Sequence, residues 1–126
     1  MDETSKYIKM CEGALPDIGC HGWQDGDFAY RNGKVEVFHQ KAAANMGWQT
    51  GDQCIPLYRQ DQLQELIADK IGKIDAIGIA WNLHRFCGDN RTGYAGQFLS
   101  MEQLWLAFVM KELHGKVWDD EKEEWR

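Results

Sequence analysis

At 126 residues the chain has the length of one domain and can build its own core without disulfide or metal staples. Hydrophobic residues make up 44% and charged residues 27%, which excludes a disordered or fibrous chain. Fourteen Lys and Arg stand against twenty Asp and Glu, a net charge of −6 that divides into −3 over residues 1–63 and −3 over 64–126. Neither half is a basic patch, so nucleic-acid binding is disfavoured for want of its main electrostatic term.

The longest apolar run, Leu104–Met110, has seven residues, whereas a membrane span needs ~20, so no membrane association is expected. Met1–Lys6 is acidic and polar, without the basic and apolar regions of a secretory leader, so the expected location is the cytoplasm. The four cysteines, Cys11, Cys20, Cys54 and Cys87, include no C-x-x-C pair and are expected to be free thiols, mostly buried. Cys20-His21 and His84/Cys87 lack the tight paired spacing of a structural zinc site, so neither metal nor cofactor is expected.

In chain order, Tyr7, Met10, Cys11 and Ala14 repeat at helical spacing and predict a helix over 3–14, ended by Gly13 and Pro16. Asp27–His39 reads as a hairpin turning on Asn32-Gly33, with Phe28 opposite Val37 and Tyr30 opposite Val35 on the buried face. Ala29 and Glu36 then share the wet face. Lys41–Gly51, with its Ala run and Trp48, is ambiguous between loop and loop with a helical turn. Cys54-Ile55-Pro56 predicts a short edge strand leading into a helix over 60–71, whose stripe is Leu63, Leu66, Ile67 and Ile71.

A second hairpin is predicted from the alternation of Ile77, Ile79, Trp81 and Leu83 with Gly78, Ala80, Asn82 and His84, returning through Tyr94–Leu99. That register pairs Trp81 with Phe98 and Asn82 with Gln97. Ser100-Met101-Glu102-Gln103 is a capping box opening a helix over 100–114, and 116–126 reads as a terminal hairpin of Val117-Trp118 with Glu124-Trp125. The expected fold is a single α+β domain over 1–126, an antiparallel sheet of consecutive hairpins with three helices packed on it.

Periodicity assigns Trp81 and Trp105 to the core and leaves Trp23, Trp48, Trp118 and Trp125 as candidate binding residues, because exposed Trp supplies large contact area and one donor. Asn82, His84 and Gln97 on the polar side of the second hairpin are the other binding candidates. No nucleophile or phosphate signature is present, and no catalytic residue is assigned. The alternative is a small-ligand binder or enzyme with its site around His84, Arg85 and Cys87, where a thiol follows a histidine by three residues. Arg59, Gln60 and Gln62 are placed to line the end of the sheet.

Three segments carry a resemblance: Tyr7–Glu12, then Ile55–Leu66 with its P-x-x-x-Q-D-Q-L-Q-E stretch, then the final helix running into Gly115-Lys116-Val117-Trp118. In this order they resemble small uncharacterised proteins encoded by phages and prophages of Gram-positive bacteria. The likeness spans roughly half the chain, and the region from Asp17 to Asp52 stands outside it. The resemblance implies a cytoplasmic accessory protein of mobile-element origin and carries over no site residue. Together with the acidity, it leads to the expectation of binding to a host or phage protein, with a homodimer as a compatible arrangement.

Overall fold

The computed structural model of the chain describes residues 1–20, 23–39, 54–71, 75–88 and 93–126. Its elements are α1 (Ser5–Ile18), β1 (Phe28–Arg31), β2 (Lys34–Val37), β3 (Cys54–Leu57), α2 (Gln60–Ile71), α3 (Ala76–Cys87), a 3₁₀ turn (Tyr94–Gln97), α4 (Met101–His114), β4 (Trp118–Asp119) and β5 (Glu124–Trp125). The fold is α+β, with helices packed on a three-stranded antiparallel sheet of order β2-β1-β3. Lys41–Gly51, expected as loop or loop with a helical turn, lies outside the described residues.

Helix α1 starts where Thr4 accepts the Tyr7 N–H at 3.2 Å, and the predicted stripe of Tyr7, Met10, Cys11 and Ala14 is fully buried. It runs four residues past the predicted end, through Pro16 to Ile18. Proline deprives the Glu12 carbonyl of one donor, but Glu12 is exposed and the last turn is held by its surroundings. Gly19, at φ 78°, caps it by donating to the Leu15 carbonyl at 2.8 Å. The Tyr58 hydroxyl donates to the Gly19 carbonyl at 2.9 Å, and Lys116 reaches Asp17 at 2.7 Å.

The first hairpin has the predicted register, Phe28 opposite Val37 and Tyr30 opposite Val35, because Asn32 (φ 54°) and Gly33 (φ 81°) supply the two positive-φ positions of the turn. Strand β3 pairs along the other side of β1, so Pro56 sits on an edge strand where a missing donor is tolerated. The burial departs from expectation. Ala29 is fully buried rather than wet, in a small cluster with Phe38, Cys54 and Trp23, while Phe28, Tyr30 and Val35 are half-buried against the main core and Val37 is exposed. Both faces of the sheet are therefore covered in part.

The second hairpin is a correction. Residues 76–87 form helix α3, and Tyr94–Gln97 is a 3₁₀ turn, so the pairings of Trp81 with Phe98 and Asn82 with Gln97 do not exist. End signals decide it: Asp75 accepts the Gly78 N–H at 2.8 Å, and Gly88, at φ 66°, donates to the His84 carbonyl at 3.0 Å. The inner side of α3 is a helical stripe of Ile79, Leu83 and Phe86, half-buried on the core. A run of alternating apolar residues thus carried a second, helical period. The described fold has four α-helices rather than three.

Helix α4 begins at the predicted box, with Ser100 Oγ accepting the Gln103 N–H at 3.1 Å and Gln103 Oε1 accepting the N–H of Leu99 at 3.2 Å. Residues Trp105–Met110 are all buried, as a helix flanked on several sides requires. The terminal hairpin pairs Trp118 with Trp125 and packs on α1, where Trp125 Nε1 donates to the Met10 carbonyl at 2.9 Å.

Candidate functional site

The sequence-derived candidates do not converge. Trp118 is buried, its indole nitrogen donating to Asp120 at 3.2 Å, and Trp125 is half-buried over α1. Both serve to seat the terminal hairpin. Asn82 donates to the Gly78 carbonyl of its own helix at 2.8 Å, and Gln97 donates to the Tyr94 carbonyl at 3.1 Å. His84 is exposed, 5.8 Å from the Trp81 ring. With the hairpin gone, these three share no sheet face. Trp48 lies outside the described residues.

Around His84, Arg85 and Cys87, the first two side chains are exposed and the third is half-buried. Burial pushes the Cys87 thiol up, the opposite of what an activated thiolate needs. Among the described residues no group of three or more His, Cys, Asp or Glu is arranged to hold a metal ion, and Cys11, Cys54 and Cys87 are free thiols. No helix among them is long and apolar enough to cross a membrane.

Tryptophan placement is also corrected. Trp105 is in the core as expected, whereas Trp81, expected beside it, is 61% exposed on the outer side of α3. The helical period turns Trp81 away from Ile79 and Leu83, with which the strand period had grouped it.

One concavity brings polar chemistry together. A cleft of about 360 Å³ opens between the end of α1, strands β1 and β3 and one flank of α2. Its floor is a network around Arg59, which with Tyr58 joins β3 to α2. Arg59 Nη1 donates to Asp27 Oδ1 at 2.9 Å and to the Gly26 carbonyl at 3.0 Å. Arg59 Nε and Nη2 grip Asp61 at 3.0 and 3.3 Å. Gln62 locks the arrangement, accepting the Arg59 N–H at 2.8 Å and donating to Asp27 at 3.0 Å. Asp27 is only 8% exposed, so its charge depends on these partners. The hydrogen bonds from Arg59 hold the Asp61 carboxyl below its ordinary value, and the same contact raises Arg59.

The walls are Trp23, which packs on Phe38 with ring centroids 6.3 Å apart, together with Phe28, Tyr58 and Leu66. Asp61, Glu65 and Asp69 stand at i, i+4 and i+8 along the flank of α2, so their carboxylates form a row on the cleft. Of the five charged residues among the described residues that line it, four are acidic and Arg59 is basic, a formal −3 for that set. Arg59 is already shared between Asp27 and Asp61, and among the described lining residues no other cation stands beside Glu65 and Asp69.

Arg59 and Gln62 fall where the sequence placed them, at the sheet's end; Gln60 is not part of the lining. Glu65 and Asp69 lie outside the apolar stripe of the helix, and their four-residue spacing is the sequence signal that joins them to Asp61. Trp23 was a candidate without a location. Asp27 carried no signal, because its role depends on a long-range contact to Arg59. Compared with known protein families, with curated proteins and with solved structures, the chain finds no match in any of the three.

Proposed function

We propose that the protein is a small accessory protein that acts by binding another macromolecule, and that its cleft receives a basic segment of a host or phage protein. The mobile-element origin in this reading rests on the sequence resemblance alone. The observation that carries the binding reading is the excess of carboxylates among the described residues of an aromatic-walled concavity. A Lys or Arg side chain suits it: the stem packs on Trp23, Phe28 and Leu66 while the head meets Glu65 and Asp69. Each exposed ion pair contributes only about 0.2–1 kcal/mol, so affinity requires several basic residues and falls with salt. A nucleic acid, with its phosphates, is repelled by the same carboxylates.

The experiment is an NMR titration of the labelled protein with a Lys/Arg-rich peptide and with an acidic peptide of equal length. The basic peptide is expected to shift the Trp23 indole and the α2 amides, with a response that weakens in high salt. Glu65→Lys with Asp69→Lys should abolish it. Equal responses to both peptides, or an unaltered response in the double variant, would remove the cleft from the reading.

A further inference from the structure

The carboxylates on the cleft are not equivalent, and the difference bears on what fits beside them. Asp61 is held by Nε and Nη2 of Arg59, and Asp27 by Nη1 and by Gln62. Every nitrogen of the Arg59 guanidinium therefore has an acceptor within the fold. Glu65 and Asp69, about one and two turns further along α2, are exposed, and no other cation of the described lining stands beside them. Being four residues apart, they are separated by about 6 Å along the helix axis.

We infer that the cleft takes an extended segment with basic residues at alternate positions, Lys/Arg-x-Lys/Arg, whose first and third side chains meet Glu65 and Asp69. This rests on the basic-segment reading above and adds conformation and spacing to it. In an extended chain, side chains two residues apart point the same way and lie about 6.4–6.8 Å apart, which matches the separation of the two carboxylates. Adjacent basic residues point to opposite sides, so one of them faces away from α2. Residues four apart on a helix also repeat every ~6 Å, but space decides against a helical occupant. One turn of helix, about 10 Å wide and 5.4 Å long, fills roughly 420 Å³. The cleft holds about 360 Å³, and two residues four apart need more than one turn. An extended chain lays only alternate side chains into the cleft, while its backbone follows the mouth.

The walls suit the stems of such side chains, since Trp23, Phe28 and Leu66 offer apolar surface to methylene groups whose charged heads stay wet. The preference for spacing is worth one exposed ion pair, the one that a misplaced second basic residue fails to make. It therefore amounts to about 2- to 5-fold in dissociation constant.

Three short peptides of identical composition test this, each with two Lys in an uncharged background and with both ends blocked to remove terminal charge. The Lys residues are adjacent in one, two apart in the second and four apart in the third. NMR titrations of the labelled full chain at low ionic strength give the three dissociation constants. The two-apart peptide should bind about 2- to 5-fold more tightly than either of the others. Asp69→Asn should bring it to the level of the adjacent peptide, and Glu65→Gln should do the same; two variants guard against one that fails to fold. Equal binding of the three, tighter binding of the adjacent or four-apart peptide, or a preference that survives both substitutions overturns the inference and leaves the basic-segment reading standing. Silence from all three overturns it too. The reading itself falls only if the Lys/Arg-rich and acidic peptides also act alike.

Discussion

Ser100 donates its hydroxyl to Asp2 at 2.5 Å, joining the residue that caps α4 to the segment that leads into α1. The same Asp2 carboxylate accepts the Gln103 amide at 2.8 Å and both the N–H and the hydroxyl of Thr4, at 2.9 and 2.7 Å. Two helix starts nearly a hundred residues apart in sequence therefore share one acceptor. Burial works to raise the Asp2 carboxyl, but the bonds from Ser100, Thr4 and Gln103 together hold it below 3.8.

Asp2→Ala removes that acceptor and leaves the amide of the buried Gln103 with the long 3.4 Å bond to the Thr4 hydroxyl, at an expected cost of about 1–3 kcal/mol. Urea unfolding at neutral pH measures it. Because the folded carboxyl is depressed, its contribution is complete above the unfolded value and is lost as pH falls through the folded one. The gap between wild type and variant should accordingly narrow below about pH 4. A gap that stays constant to pH 2 would mean that the charge on Asp2 plays no part.

At the alkaline end the core supplies the dependence. Burial pushes the Cys11 thiol from 9.0 up to about 12, and burial likewise raises Tyr7 and Tyr58 above their ordinary range. Tyr7 donates to the Tyr58 carbonyl at 2.6 Å, and that bond is lost once the phenol ionises. In the unfolded chain these groups release their protons first, so the folded state holds more protons and its stability falls as pH rises. The melting temperature is expected to be flat through neutrality and to drop between pH 9 and 12. Tyr7→Phe should flatten part of that slope while lowering stability at pH 7 by about 1 kcal/mol. An unchanged alkaline slope in Tyr7→Phe would remove Tyr7 from the account.

Where one period dominated, sequence and structure agree. The Asn32-Gly33 turn set the register of β1 and β2, the Ser100 box located α4, and the stripe of Tyr7, Met10, Cys11 and Ala14 located α1. Two periods competed over residues 77–83, and there the strand alternation misled; the caps at Asp75 and Gly88 held the deciding information. Pro16 marked an end for α1 that bonds from Tyr58 and Lys116 carry past it. The cleft is the least local feature. Its Arg59–Asp27 pair spans 32 positions, and no spacing rule connects a loop aspartate to a helix-start arginine at that range. The exposure of Trp81 was hidden for the same reason as the helix itself.

Gly13 shows how a tertiary contact can decide a residue that looks like a helix defect. A Cβ at this position would lie 3.0 Å from Cδ1 and 3.4 Å from Nε1 of Trp125, whose indole nitrogen donates to the Met10 carbonyl. The glycine lets the terminal hairpin lie flat on α1. Gly13→Val is expected to lift the ring and destabilise by about 1–3 kcal/mol. Trp125→Ala costs about 3 kcal/mol by itself, from the lost packing and the lost bond. In the Trp125→Ala background the Gly13→Val penalty should largely vanish, since nothing is left to collide with. Additive costs in this double-mutant cycle would mean that the two residues act independently.

Arg59 is expected to separate the structural from the exposed part of the cleft. It satisfies the nearly buried Asp27 and also holds Asp61, whose side chain is 70% exposed. Removing the guanidinium leaves Asp27 with Gln62 and the Gln24 N–H, bonds that do not neutralise it. Arg59→Met should therefore cost about 2–4 kcal/mol, an unpaired buried charge being the expensive outcome. Asp61→Asn removes a partner that water replaces and should change stability by less than about 0.5 kcal/mol. Pairing Arg59→Met with Asp27→Asn should recover part of the loss, because the carboxylate that needed the cation is gone. Chemical denaturation of the three variants measures these differences. If Arg59→Met is as mild as Asp61→Asn, the buried pair does not hold the cleft floor, and the carboxylates of α2 act without it.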